Sequence, residues 1–108
     1  MDVLHISAEC YPAAKAGGLG DVVGALPKYL NAAGVSAGVV IPKYRLRWIN
    51  EHQFMPIFRG AVRLHNTYIQ YTVEQEMHNS LGFPFFVVDI PGKFDRPGIY
   101  ADPGGWGY

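Results

Sequence analysis

Apolar positions along this chain follow two rhythms, and the switches between them mark its elements. Val3 to Ala8 is a short apolar run, the pattern of a parallel strand buried on both faces. From Leu19, the residues Leu19, Val22, Val23, Leu26, Leu30 and Ala33 recur by threes and fours, which predicts an amphipathic helix. Gly34 is placed to end it. Pro27 inside it removes a backbone hydrogen bond and predicts a kink. "SAGVVIP" at 36–42 reads as a second strand, so residues 3–41 form a strand–helix–strand unit. A right-handed crossover and parallel pairing are expected of such a unit.

Residues 43–56 stay open between loop and short helix, and the rhythm then changes to a period of two. Phe58, Val62 and Leu64 alternate with Arg59, Arg63 and His65, and Ile69, Tyr71 and Val73 alternate with Tyr68, Gln70, Thr72 and Glu74. Two half-buried strands joined through "HNT" as a hairpin fit this alternation. "PFFVVDI" at 84–90 is another continuous run and a core strand. Beyond it the chain is rich in Gly and Pro and ends among Trp106 and Tyr108 without a capped element, the expectation for a chain cut short.

Composition narrows the partners. The length of 108 residues corresponds to about one small domain. Acidic and basic residues balance at nine each, so no basic field draws nucleic acid or an anionic membrane. No apolar run approaches the ~20 residues of a membrane span. Cys10 is the only cysteine, which excludes an intrachain disulfide and points to a reducing compartment and an inert, packed thiol. The N-terminal residues have neither signal-peptide nor transit-peptide character, so a cytoplasmic location is expected.

The candidate chemistry lies in "KAGGLGD" at 15–21. Glycines let backbone approach an anion, a helix start adds unpaired N–H groups and partial positive charge, and Lys15 adds a full charge. The stretch follows the first strand of an open parallel sheet, where ligands bind. The spacing matches neither GxxxxGK[ST] nor GxGxxG. On spacing alone, a phosphate grip and an ordinary glycine-rich turn with a solvated lysine are equally good readings.

The longer stretch "LHISAECYPAAKAGGLGDVVGALPKYL" resembles the N-terminal signature of bacterial glycogen synthases and plant starch synthases. Their K-x-G-G-L motif stands here as Lys15-Ala16-Gly17-Gly18-Leu19, and the likeness resumes at "VVIPKY" (39–44) and "FDRPGIY" (94–100). About half the chain carries it. The resemblance implies a retaining glucosyltransferase of two-lobed GT-B architecture that moves glucose from ADP-glucose to the non-reducing end of an α-1,4-glucan. The fold expected is α/β: a Rossmann-like open, mostly parallel sheet with an antiparallel hairpin. Residues 1–108 would be its truncated first lobe, with the second lobe absent.

By matching positions, Lys15, Gly17 and Gly18 would face the donor's diphosphate and glucose, and Asp21 would stand at the catalytic site. Glu9 and Tyr100 would serve the acceptor glucan. No metal and no cofactor beyond the donor substrate are implied. Simpler roles compete: Glu9 as a capping carboxylate, Asp21 as an acid favouring the helix start, Tyr100 as a rim residue. Asp95 and Arg96 fit a turn, and His5 a satisfied core histidine. A glycosidase pair made of Glu9 and Asp21 would need carboxylates ~5–9.5 Å apart and explains Lys15 less well. A non-catalytic glucan- or partner-binding module, or a flavodoxin-like nucleotide binder, are the alternatives. Half a lobe would also leave a sheet edge and apolar helix faces open to self-association.

Overall fold

The computed structural model describes residues 1–93 and Ile99. Its elements are β1 (Val3–Ile6), α1 (Gly18–Ala32), β2 (Ala37–Pro42), α2 (Arg47–Glu51), β3 (Phe54–Leu64), β4 (Thr67–Glu76) and β5 (Phe85–Asp89). They form one five-stranded sheet in the order β1-β2-β5-β4-β3. β1 and β5 both run parallel to β2, whereas β4 is antiparallel to β5 and to β3. The strand–helix–strand unit and the hairpin expected from the two rhythms thus share a mixed open sheet.

Strand register explains where the core sits. Val39 and Ile41 of β2 pair with Phe85 and Val87 of β5, and all four are buried. Over this face pack Cys10, Ala13 and Ala14, Val23 of α1, Tyr44, Ile49 of α2, and Leu81 with Phe83. Trp48 meets Phe85 edge-on at 5.8 Å between ring centroids. The opposite face is apolar and open: Leu4, Ile6, Phe58, Val62 and Leu64 are exposed on it, Ile6 at 84%.

That openness corrects the expectation for β1. A continuous apolar run implies burial on both faces, but β1 is an edge strand whose Leu4 and Ile6 meet no covering layer among the described residues. His5 is corrected too. Its Nε2 is buried and has no hydrogen-bond partner among the described residues.

α1 ends as its sequence requires. Gly34 takes φ +88°, its N–H donates to the Asn31 carbonyl at 3.1 Å, and the Val35 N–H donates to the Leu30 carbonyl at 2.9 Å. This pair of bonds is the Schellman arrangement. The helix continues through Pro27. Asn31 then ties it to β2, its side-chain amide donating to the Pro27 and Ala37 carbonyls while its oxygen accepts the Ala37 N–H. The buried residues of α1 are Gly20, Val23, Gly24 and Pro27, and the larger Leu19, Val22, Leu26 and Tyr29 are exposed. The apolar stripe read from the sequence therefore lies largely outward. A Cβ on Gly24 would collide with the Tyr11 carbonyl oxygen, so the loop before the helix seats directly on its backbone.

In the hairpin, Val62 pairs with Ile69 and Phe58 with Val73, as the alternation expects. The register shifts between Pro56 and Phe58, and β3 is the other edge of the sheet, where a proline without an N–H is tolerated. Gly60 lies opposite Tyr71, whose ring occupies the space a side chain at Gly60 would need.

Candidate functional site

The loop between β1 and α1 leaves the carboxyl end of β1 and folds back on itself. Cys10 and Ala14 bond reciprocally, N–H to carbonyl, at 2.8 and 2.9 Å. The Tyr11 N–H donates to the Gly20 carbonyl at 2.9 Å and pins the turn to the first turn of α1. Tyr44, buried after β2, donates its hydroxyl to the Ala8 carbonyl at 3.0 Å. These contacts bury Glu9, Cys10, Ala13 and Ala14 and leave residues 15–19 exposed above them. Burial pushes the Cys10 thiol up to about 12 despite the nearby positive charge of Lys28, so it is a packed and unreactive group.

The exposed segment carries the residues singled out from the sequence. Lys15 Nζ lies 3.1 Å from Asp21 Oδ2, with the two side chains 43% and 55% exposed. An ion pair in water contributes about 0–1 kcal/mol, so it orients the lysine without locking it. The Lys15 ammonium also stands 5.8 Å from the centre of the Tyr11 ring. Gly17 is the N-cap of α1 and brings no side chain of its own to cap it. A Cβ on Gly17 or on Gly18 would meet nothing within 4 Å. Nothing inside the described chain therefore requires glycine at either position. Gly20 differs, because a Cβ there would come within 3.2 Å of Glu9 Oε1 and of Lys15 Cγ.

Glu9 lies beneath the segment, 2% exposed, and its Oε1 accepts the Ala16 N–H at 2.8 Å and the Gly17 N–H at 2.9 Å. Lys15, Gly17, Gly18, Asp21 and Glu9 are thus brought together at one corner. Tyr100 lies outside the described residues, as do Asp95 and Arg96. Sequence reasoning gave Tyr11 and Tyr44 no part in this corner. "VVIPKY" places Tyr44 within the resemblance but carries no sign that its hydroxyl reaches back to Ala8. Chemically, the corner offers an exposed cation, two glycines without side chains above the Glu9 carboxylate, and the N-terminus of a fifteen-residue helix.

Residues 2–108 match the family model described as the starch synthase catalytic domain. A glycogen synthase of Flavobacterium johnsoniae is 44% identical over 101 residues, covering 94% of this chain and 21% of that protein. One from Halalkalibacterium halodurans is 34% identical over 106 residues, again covering 94% of this chain and 21% of the relative. Among solved structures, the catalytic domain of starch synthase IV from Arabidopsis thaliana, bound to ADP and acarbose, superposes with a TM-score of 0.77. It is 25% identical to this chain, which covers 21% of it. The chain spans about a fifth of the length of these curated relatives.

Proposed function

Because this chain belongs to the starch synthase catalytic-domain family, we propose that it is the N-terminal portion of a retaining glucosyltransferase acting on ADP-glucose. The acceptor is the non-reducing end of an α-1,4-glucan, and residues 1–108 form part of the first of two lobes. Lys15 and the Gly17–Gly18 backbone take the donor's diphosphate and glucose. As the bond from glucose to the diphosphate breaks, negative charge grows on the departing ADP. A lysine and a helix N-terminus aimed at that charge stabilise it more than they stabilise the bound donor. Asp21 holds Lys15 in place until the diphosphate takes over as its partner. A cytoplasmic setting goes with this reading and with the lone cysteine.

One observation carries the proposal. Two adjacent glycines stand at the start of α1 beside Lys15, where a Cβ on either would meet nothing within 4 Å among the described residues. A ligand that must come close to the backbone explains that choice. The relation to starch synthase IV, whose structure was solved with ADP and acarbose, supports the same donor and acceptor classes.

The test is incorporation of labelled glucose from ADP-glucose into glycogen by the full-length protein. Wild type should incorporate label, and Lys15→Ala should lose about 10²–10³-fold in kcat, the usual effect of removing one electrostatic stabiliser. Near-normal turnover by Lys15→Ala would reject the diphosphate role. The 108-residue chain on its own should transfer nothing, since it spans about a fifth of the length of its relatives.

We also propose that the chain, when made alone, self-associates through the apolar sheet face bearing Leu4, Ile6, Phe58, Val62 and Leu64. The exposure of these residues supports it.

A further inference from the structure

We propose that Glu9 is a positioning residue for the donor-side loop. Its buried carboxylate holds the Ala16 and Gly17 N–H groups and so fixes where Lys15 and the Gly17–Gly18 backbone stand. The idea rests on the reading of that loop as the diphosphate site, and its test separates the two.

The geometry is that of a buckle. Glu9 sits just past the end of β1, so its backbone belongs to the sheet side of the corner. Its own N–H donates to Ser7 Oγ at 3.2 Å. One oxygen, Oε1, then takes the N–H groups of two successive peptides, Lys15–Ala16 and Ala16–Gly17, at 2.8 and 2.9 Å. Bonds from N–H to a carboxylate are roughly twice as strong as neutral ones. Residues 15–18 are exposed, yet these two donors point at a buried anion, which ties the segment to the sheet side of the corner.

Gly20 completes the device. The room in which Glu9 Oε1 and the Lys15 stem lie side by side is the room that a side chain at Gly20 would fill. The carboxylate thus sets the path of Lys15 through the backbone that follows it, and Gly20 leaves the room that the Lys15 stem occupies. With both lone pairs of Oε1 directed to the loop, this oxygen is turned away from any sugar hydroxyl.

The full-length protein tests this by hydrogen exchange and steady-state kinetics on Glu9→Ala and Glu9→Gln. Exchange of the Ala16 and Gly17 amides, read in peptides spanning residues 15–18, should accelerate at least about tenfold in Glu9→Ala, the equivalent of one lost charge-assisted bond. Exchange along β2 and β5 should be unchanged. kcat should fall and KM for ADP-glucose rise, with KM for glucan unaltered. Glu9→Gln keeps an accepting oxygen of the same reach and should recover most of both losses.

Unchanged exchange in Glu9→Ala would overturn the proposal. So would a defect confined to KM for glucan that Gln does not rescue, which would assign Glu9 to the acceptor sugar. If Glu9→Ala frees both amides while Lys15→Ala turns over normally, the diphosphate reading fails and the buckle stands.

Discussion

Buried carboxylates do much of the positioning in this chain at the scale of single residues. Glu76 is one of them, accepting the Ser80 N–H at 2.6 Å and the His78 N–H at 2.8 Å after the end of β4. Burial alone pushes its carboxyl up. The bonds from Ser80 and His78, with the charge of His52 nearby, outweigh burial and hold it below its ordinary value of 4.5. Its folded value is therefore lower than its unfolded one. The stability it contributes is complete above the unfolded value and is lost as pH falls through the folded one. Glu76→Gln should cost about 1–3 kcal/mol at neutral pH and flatten the acid limb of a stability profile taken by thermal melting. A profile identical to wild type would deny the carboxylate that role. Glu76 shows no such role in the sequence, and Glu9 was legible there only as one reading among others, a capping carboxylate. Glu9 reaches partners seven and eight residues away across a turn whose path depends on Tyr11 meeting α1.

Among the elements, α1 shows what periodicity can and cannot say. Its extent was readable from the spacing of apolar residues and from Gly34, and the helix runs from Gly18 to Ala32. Its inward face was not readable, because the period-3.6 rule assumes that the largest side chains pack inward. Here the loop approaches so closely that glycine occupies the contact and Leu19, Val22 and Leu26 turn outward. The two kinds of glycine should part company experimentally. Gly24→Ala should lower stability by about 1–3 kcal/mol in denaturant unfolding, since the Tyr11 backbone has to move. Gly18→Ala should leave stability unchanged or raise it by about 0.4–1 kcal/mol, since it meets no neighbour and Ala favours the helix. Equal losses at the two positions would contradict the difference in packing. β2 and β5 were legible as continuous runs because both lie inside the sheet. β1 carries the same pattern at an edge, where a run of apolar residues cannot reveal which neighbour is missing.

For the whole molecule, the decisive feature is a sheet with one covered face and one that the described residues leave largely open. The core is confined to the side of α1 and α2, and the opposite face carries exposed aliphatic and aromatic side chains from both edges. Light scattering on the isolated chain should give a mass above that of the 12.0 kDa monomer, and Ile6→Lys with Val62→Lys should reduce it. A clean monomer at micromolar concentration would reject association through this face. The strands and their types were largely readable along the chain, and so was the family, because its motifs are local. The bare face was not, since it depends on which strands lie beside which. The seat of Tyr11 on Gly24 has a mechanical meaning for such a molecule. The loop is bonded to the helix at Gly20 and braced against it one turn later, so the two cannot slip past each other. Any shift of α1 against the sheet therefore has to carry the start of the Lys15 loop with it.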